Sequence, residues 1–417
     1  MNISKRIGKL ALWSAAAASA LALTAPALAQ TASPNVLTIG VISSRSGAFA
    51  LQGQNAEQGE TLAAEEINAR GGILGRQIKL ITLDSKSRAE EASRAFRDLA
   101  AGGADIIIGN IATGEAQAAT ALSKELKVPF FATGSYGRFL TEEQGHRYLF
   151  RLLVNARAFY GPIAESLSER PYKRWCTISI DFAFGRDLVQ NVVGTLKARR
   201  PEVEVIPGCE FWIPLGTTEF SSYITAILAK QPDAVLFGGL VGQSGIAFVT
   251  QAKAFGLFNK VAAAHTALGW ATNNEGLRKE DIPPNLITAS DFPYPPVDRP
   301  ANKAFVEAFK KRWNGLPYSE AASGYATVNF IAAAYAKAKK VDREAFIDAA
   351  EGLTVDHPAQ GPITVRAFDH QATTGVWVGE LSWDETNQRP GLVKTRYVSA
   401  EKYLPTAEEV KKLRGAP

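Results

Sequence analysis

The feature that most restricts what this chain can fold into is a rhythm. From residue 37 onward, short apolar runs alternate with amphipathic stretches: "LTIGVIS" then "NAEQGETLAAEEINAR", "IKLITLD" then "AEEASRAFRDLAA", "DIIIG" then "GEAQAATALSKEL", then "VPFFA". Such alternation predicts parallel sheets flanked by helices. After "YLFRLL" the rhythm restarts with helix "GPIAESLSER", strand "RWCTISI", helix "GRDLVQNVVGTLKAR", strand "EVEVIPGCEFW", helix "EFSSYITAILAK", strand "AVLFGG", helix "GIAFVTQAKAF" and strand "NKVAAA". A second doubly wound lobe accounts for it. The stretch from "PANKAFVEAFKKRWNG" to "FIDAAEGL" reads as almost all helix, and strands return after Gly361 in "GPITVRAF", "GVWVGELSW" and "GLVKTRYVS". A chain of 417 residues suits two lobes better than one core. No Ser/Gly-rich or charged linker separates the halves, so lobes packed around a cleft are expected.

The first 29 residues follow a different logic. Lys5, Arg6 and Lys9 precede an apolar run from Leu10 to Leu23 and an Ala27-Leu28-Ala29 site, the pattern of a secretory signal peptide cut before Gln30. No later stretch approaches the length of about 18 apolar residues that a membrane span needs, so an exported, soluble product is expected. No cysteine lies near the cleavage site to carry a lipid. The signal holds three of the 46 Lys and Arg and none of the 41 Asp and Glu, so the remainder is nearly neutral. The clusters "KARRP" and "EAFKKRW" are spaced like solvated helix faces, and no nucleic-acid partner is expected. Cys176 and Cys209 fall in candidate neighbouring strands and read either as a disulfide or as two buried thiols.

Signatures of catalysis are missing. There is no G-x-x-x-x-G-K-[ST] loop and no G-x-G-x-x-G after the first strand, and "GQSGI" and "TGSYG" miss the G-x-S-x-G spacing. His146, His265, His357 and His370 form no metal-binding spacing, so neither metal nor cofactor is expected. What remains are small polar and aromatic residues after strands, where open α/β sheets bind ligands. "SRSGAFALQG" follows the first strand, "GNIATGEAQ" the third and "FFATGSYGRF" the fourth. Thr113 opens a helix whose first N–H groups are free to meet an anion. Any one such loop is ordinary turn and cap chemistry; three in one lobe point to a site.

The blocks "LTIGVISSRSGAFALQGQNAEQGETLAAEEINARGGILGRQIKLITLDSKS", "DIIIGNIATGEAQAATALSKELKVPFFATGS", "SIDFAFG", "GTTEFSSYITAI" and "GPITVRAFDHQ" resemble, in order, the periplasmic binding proteins of the leucine/isoleucine/valine type. These are the solute receptors of ABC importers. The resemblance implies a type I periplasmic-binding fold, with two doubly wound α/β lobes joined by a three-crossover hinge and a ligand cleft between them. It implies lobes of 35–153 plus 289–355 and of 154–288 plus 356–417. It also implies a monomer that is no enzyme and that delivers its ligand to an inner-membrane permease.

Carried over residue by residue, the resemblance puts the carboxylate-binding hydroxyl on Thr113 and the head-group loop on Ser135 and Tyr136. Phe184 falls where an aromatic lid closes from the second lobe. Phe49 and Gln52 face the side-chain end of the ligand, and Tyr160 stands near the hinge. Phe184 and Tyr160 also have a packing explanation, Asp181 reads as a helix cap, and Asp369-His370 as a structural turn. The departure is at His265, where amino-acid binders carry an acid for the ligand's ammonium; a histidine cannot supply that charge. With Arg157 near the hinge, this predicts an organic acid with an apolar or aromatic body, and a hydrophobic amino acid if another acid, Asp291 being the nearest, reaches the pocket. An exported sensor and an exported enzyme are the rival classes.

Overall fold

The computed structural model describes residues 35–109, 112–293 and 297–415; the expected export signal lies outside them. In the first half, strand β1 (Val36–Ser43), helix α1 (Ala50–Ala69), β2 (Gln77–Asp84), α2 (Ala89–Ala101), β3 (Ile106–Gly109), α3 (Thr113–Leu126), β4 (Phe130–Ala132) and β5 (Leu149–Phe150) follow the predicted alternation. The strands form one parallel sheet in the order β2-β1-β3-β4-β5. The runs "IIIG" of β3 and "FFA" of β4 are wholly buried, which is what a parallel sheet covered on both faces requires.

The second half runs through α4 (Ala156–Ser168), β6 (Arg174–Ile180), α5 (Ala183–Arg199), β7 (Glu204–Ile213), α6 (Ser221–Lys230), β8 (Ala234–Leu236), α7 (Gln243–Ala254), β9 (Ala262–Ala264), α8 (Ala271–Asn274) and β10 (Ile287–Ser290). Three helices come next, α9 (Pro300–Trp313), α10 (Ser319–Ala338) and α11 (Arg343–Ala350). The hairpin β11 (Thr354–His357) and β12 (Gly361–Thr364) and the longer pair β13 (Val376–Asp384) and β14 (Arg389–Val398) then lead to α12 (Ala407–Leu413). The larger sheet has the order β14-β13-β10-β9-β8-β6-β7. Its parallel part, β7-β6-β8-β9-β10, repeats the winding of the first sheet, and β13 and β14 add antiparallel at its edge. The fold is thus α/β with two doubly wound sheets, as expected.

The cores show where the chain passes between the sheets. Phe330, Ile331, Tyr335 and Phe346 of α10 and α11, with Ile363, Val365 and Ala372, pack with β1, β3 and Phe131 of the first sheet. Ile287 and Ala289 of β10, Val376 and Val398 pack with α4 and α5 of the second. Ile363, Val365 and Ala372 thus belong to the first core, while Val376 and Val398 belong to the second.

The three passages are tied together. Arg151, fully buried, donates from Nε to Gln371 Oε1 (2.7 Å), from Nη1 to the Gly137 carbonyl (2.6 Å) and from Nη2 to Thr141 Oγ1 (2.7 Å). Gln371 Nε2 donates to the Leu153 carbonyl at 2.8 Å. Gln360 links the second passage to the third, donating to the Asp291 carbonyl at 3.0 Å and accepting from Gly375 N at 2.9 Å. Cys176 of β6 and Cys209 of β7 are joined as a disulfide. Among the described residues no helix is long and apolar enough to cross a membrane.

Candidate functional site

In each sheet the strand order reverses beside its first strand, and loops leaving the carboxyl ends of strands there open a crevice. A cavity of about 90 Å³ lies where those loops from both sheets meet. One water needs roughly 10–15 Å³ of such space, so the cavity suits a ligand with on the order of ten heavy atoms. The first sheet supplies Phe49 and Gln52 after β1, Thr113 after β3, and Thr133, Gly134 and Tyr136 after β4. The second supplies Phe182 and Phe184 after β6, Val241 after β8, Trp270 and Thr272 after β9, and Asp291 after β10; Ser319, Glu320 and Ser323 enter from the start of α10.

Of the residues expected from sequence, Phe49, Gln52, Thr113, Tyr136 and Phe184 line the cavity. Phe184 also packs against both cores of the second half, so its two readings coexist. Ser135 does not line the cavity; it is fully buried and donates to Thr113 Oγ1 at 3.2 Å, so it orients that hydroxyl from behind. Tyr160 is fully buried in the core of the second half, edge-on to Phe159 at 5.4 Å, with its hydroxyl unpaired among the described residues. Its aromatic bulk serves packing, not the cavity. Arg157 turns away to pair with Glu142. Asp181 pairs with Arg186, and Phe182 takes the capping position of α5 instead.

His265 is also off the cavity wall. Its ring is fully buried, Nδ1 accepts from Ala267 N (2.7 Å) and Leu268 N (2.8 Å), and Nε2 lies 3.2 Å from the Leu240 carbonyl. Two N–H donors on Nδ1 put the proton on Nε2. Burial lowers the ring to about 3, so it is neutral. It ties the β9 loop to the β8 loop and faces no ligand.

Two carboxyls reach the cavity from other elements. Asp291 is buried at the end of β10; its Oδ2 accepts from Tyr136 Oη (3.2 Å) and its Oδ1 from Trp270 Nε1 (3.1 Å). Tyr136 lies between Trp270 (ring centroids 4.9 Å) and Phe159 (5.5 Å), which holds the phenol on the carboxylate. Glu320, in the first turn of α10, accepts from Thr272 Oγ1 at 3.2 Å on Oε1, while Oε2 is shut from solvent without a partner among the described residues. Burial, and then the charge of Asp291, push the Glu320 carboxyl up to about 7; burial also raises Asp291, against the pull of its hydrogen bonds. Among the described residues no Lys, Arg or His lines the cavity. The arrangement is a small aromatic-walled chamber with the Thr113 hydroxyl at the start of α3 and two carboxyls, of which Glu320 keeps one oxygen unpartnered among the described residues.

The family model for periplasmic binding proteins matches residues 36–388 of this chain. The chain belongs to that family. Leu/Ile/Val-binding protein homolog 7 of Brucella abortus is 26% identical over 328 residues, covering 75% of this chain and 79% of its own. A solute binding protein of an ABC transporter from Rhodopseudomonas palustris, solved with 3,4-dihydroxy benzoic acid, superposes with a TM-score of 0.77 at 20% identity over 88% of this chain and 98% of that one. The branched-chain amino acid transporter substrate binding protein of Streptococcus pneumoniae, solved with isoleucine, gives 0.75 at 22% identity over 87% and 99%. The chain is thus a periplasmic binding protein that is similar to Leu/Ile/Val-type binding proteins. Its relatives are receptors and not enzymes, and membership implies a periplasmic place, a small-molecule ligand and an ABC permease as partner.

Proposed function

We propose that this receptor captures an α-amino acid with an apolar or aromatic side chain. The observation that carries the reading is that, among the described residues, the cavity is lined by two carboxyls, Asp291 and Glu320, and by no basic side chain. A ligand bearing only a carboxylate would bring a third acid into a chamber without a counter-charge, whereas an ammonium is what desolvated carboxylates favour. The ligand's carboxylate then meets the Thr113 hydroxyl, oriented by Ser135, and the free first-turn amides of α3. Phe49, Phe182, Phe184, Tyr136 and Trp270 enclose the apolar remainder, with Gln52 at its edge. The sequence argument for an organic acid rested on His265 in the pocket, whereas this reading rests on Asp291 and Glu320, which line the cavity where His265 does not.

Capture proceeds without chemistry. The lobes are best drawn by core membership, residues 35–153 with 292–372 against 154–291 with 373–404, and they close on the ligand about the three passages. The receptor acts as a monomer, after removal of residues 1–29 on export. The experiment is calorimetric titration of L-leucine and L-phenylalanine into wild-type protein, Asp291→Asn and Glu320→Gln. Loss of one ammonium–carboxylate contact is expected to weaken binding by roughly tenfold or more, since hydrogen bonds to charged groups contribute about 1.5–3 kcal/mol. Unchanged affinity in both variants would refute the assignment.

A carboxylic acid with an aromatic body is the second reading. The raised Glu320 carboxyl favours it, because a protonated acid at neutral pH donates to a carboxylate or phenol. For that ligand the Glu320→Gln change is expected to cost little, since an amide still donates.

A further inference from the structure

Thr133 lines a second void as well as the ligand cavity. This void measures about 10 Å³ and is lined by Ser43 at the end of β1, Glu60 on α1, Thr133 after β4, and apolar or backbone surface from Val41, Ile42, Gly53, Ala56 and Gly109. Its polar side chains have one property in common. Ser43 Oγ, Glu60 Oε2 and Thr133 Oγ1 are all buried with no hydrogen-bond partner among the described residues, and the residues that carry them are at most 4% exposed. Buried polar groups are almost always paired, and an orphan calls for a bound guest.

Size and valence identify that guest. A buried water needs roughly 10–15 Å³ and makes about three hydrogen bonds to otherwise unsatisfied groups; the void has that volume and that number of orphans. Among the described residues no basic side chain lines it to pair with Glu60. Burial pushes the Glu60 carboxyl up to about 8, so at neutral pH it carries a proton it can donate. The bonding then closes: Glu60 donates to the guest oxygen, which donates its two hydrogens to Ser43 Oγ and Thr133 Oγ1.

We propose that Ser43, Glu60 and Thr133 form a built site for one water molecule, and that this water fixes Thr133 on the wall of the ligand cavity. Glu60 is then a positioning residue, acting on the ligand through water and Thr133 without touching it. The water site is independent of the ligand's identity; its effect on affinity rests on the amino-acid reading.

Two measurements test it. A crystal structure of the unliganded protein at atomic resolution is expected to hold a single ordered water within hydrogen-bond distance of all three side chains; an empty void there overturns the proposal. In L-phenylalanine titrations, Glu60→Leu is expected to weaken binding roughly three- to tenfold, the ratio one net hydrogen bond represents. Glu60→Gln, which still donates, is expected to keep the affinity. In a Thr133→Val background Glu60→Leu is expected to cost nothing further; an equal loss in both backgrounds contradicts action through Thr133. If L-phenylalanine does not bind the wild type, the amino-acid reading fails while the water site is still decided by the crystal structure.

Discussion

Two backbone N–H groups on His265 Nδ1 and a carbonyl beside Nε2 leave that ring no free edge for a ligand. His265→Ala orphans those groups and is expected to destabilise the protein by about 1–3 kcal/mol in urea denaturation without changing which ligands bind. The titration has a definite sign. His265 is lowered to about 3, and His146 and His357 to about 4, from 6.5. Between those values the unfolded chain binds more protons, so their contribution to stability is present above about 6.5 and is lost as pH falls towards 3. Glu60 runs the other way: raised from 4.5 to about 8, it disfavours folding progressively as pH rises through that window. Glu60→Gln is therefore expected to gain stability relative to wild type between pH 5 and 8, and parallel urea curves for the two proteins would contradict this. Phe49, Gln52, Thr113, Tyr136 and Phe184, which line the cavity, were reached through the family resemblance, in loops that leave strands. Glu320 was not, because an acid in a helix's first turn ordinarily serves the helix dipole; only the placement of α10 across the first sheet brings it to the cavity.

Strands and helices follow the sequence closely, and the irregularities have local causes. In β7 the register against β6 shifts between Trp175 and Thr177, opposite Pro207 and Gly208 (φ +72°). Proline cannot donate to a ladder, and it is tolerated here because β7 is an edge strand. The disulfide joins β6 to β7 close to this interruption, across a sequence separation of 33 residues. Loop-closure entropy for such a span gives a stabilisation of about 3–4 kcal/mol. The Cys176→Ser/Cys209→Ser protein is expected to melt several degrees lower, and an unchanged melting temperature would exclude a structural role. Spacing could not decide between bond and thiols, since pairing depends on which strands become neighbours. The seam between α1 and α10 is tighter than composition suggests. A methyl on Gly59 would stand 1.9 Å from the Ala321 carbonyl, so Gly59→Ala is expected to push α10 outward, lower stability by 1–3 kcal/mol or more and weaken ligand binding by displacing Glu320.

Over the whole molecule, the alternation of strands and helices foretold two α/β halves, while the strand orders and the course of the three passages depended on contacts between distant segments. Arg151, Gln360 and Gln371 hold those passages together, and no local pattern marks them. The cavity draws its hydroxyls and its aromatic wall from both halves, and its acids from β10 and α10. That distribution makes ligand charge the discriminating variable. The most direct test is calorimetric titration of L-phenylalanine beside 3-phenylpropanoate, which has the same carboxylate and ring without the ammonium. Tight binding of L-phenylalanine with little or none of 3-phenylpropanoate is the predicted result. Binding of 3-phenylpropanoate as tightly as, or more tightly than, L-phenylalanine would contradict an acid-lined amino-acid receptor.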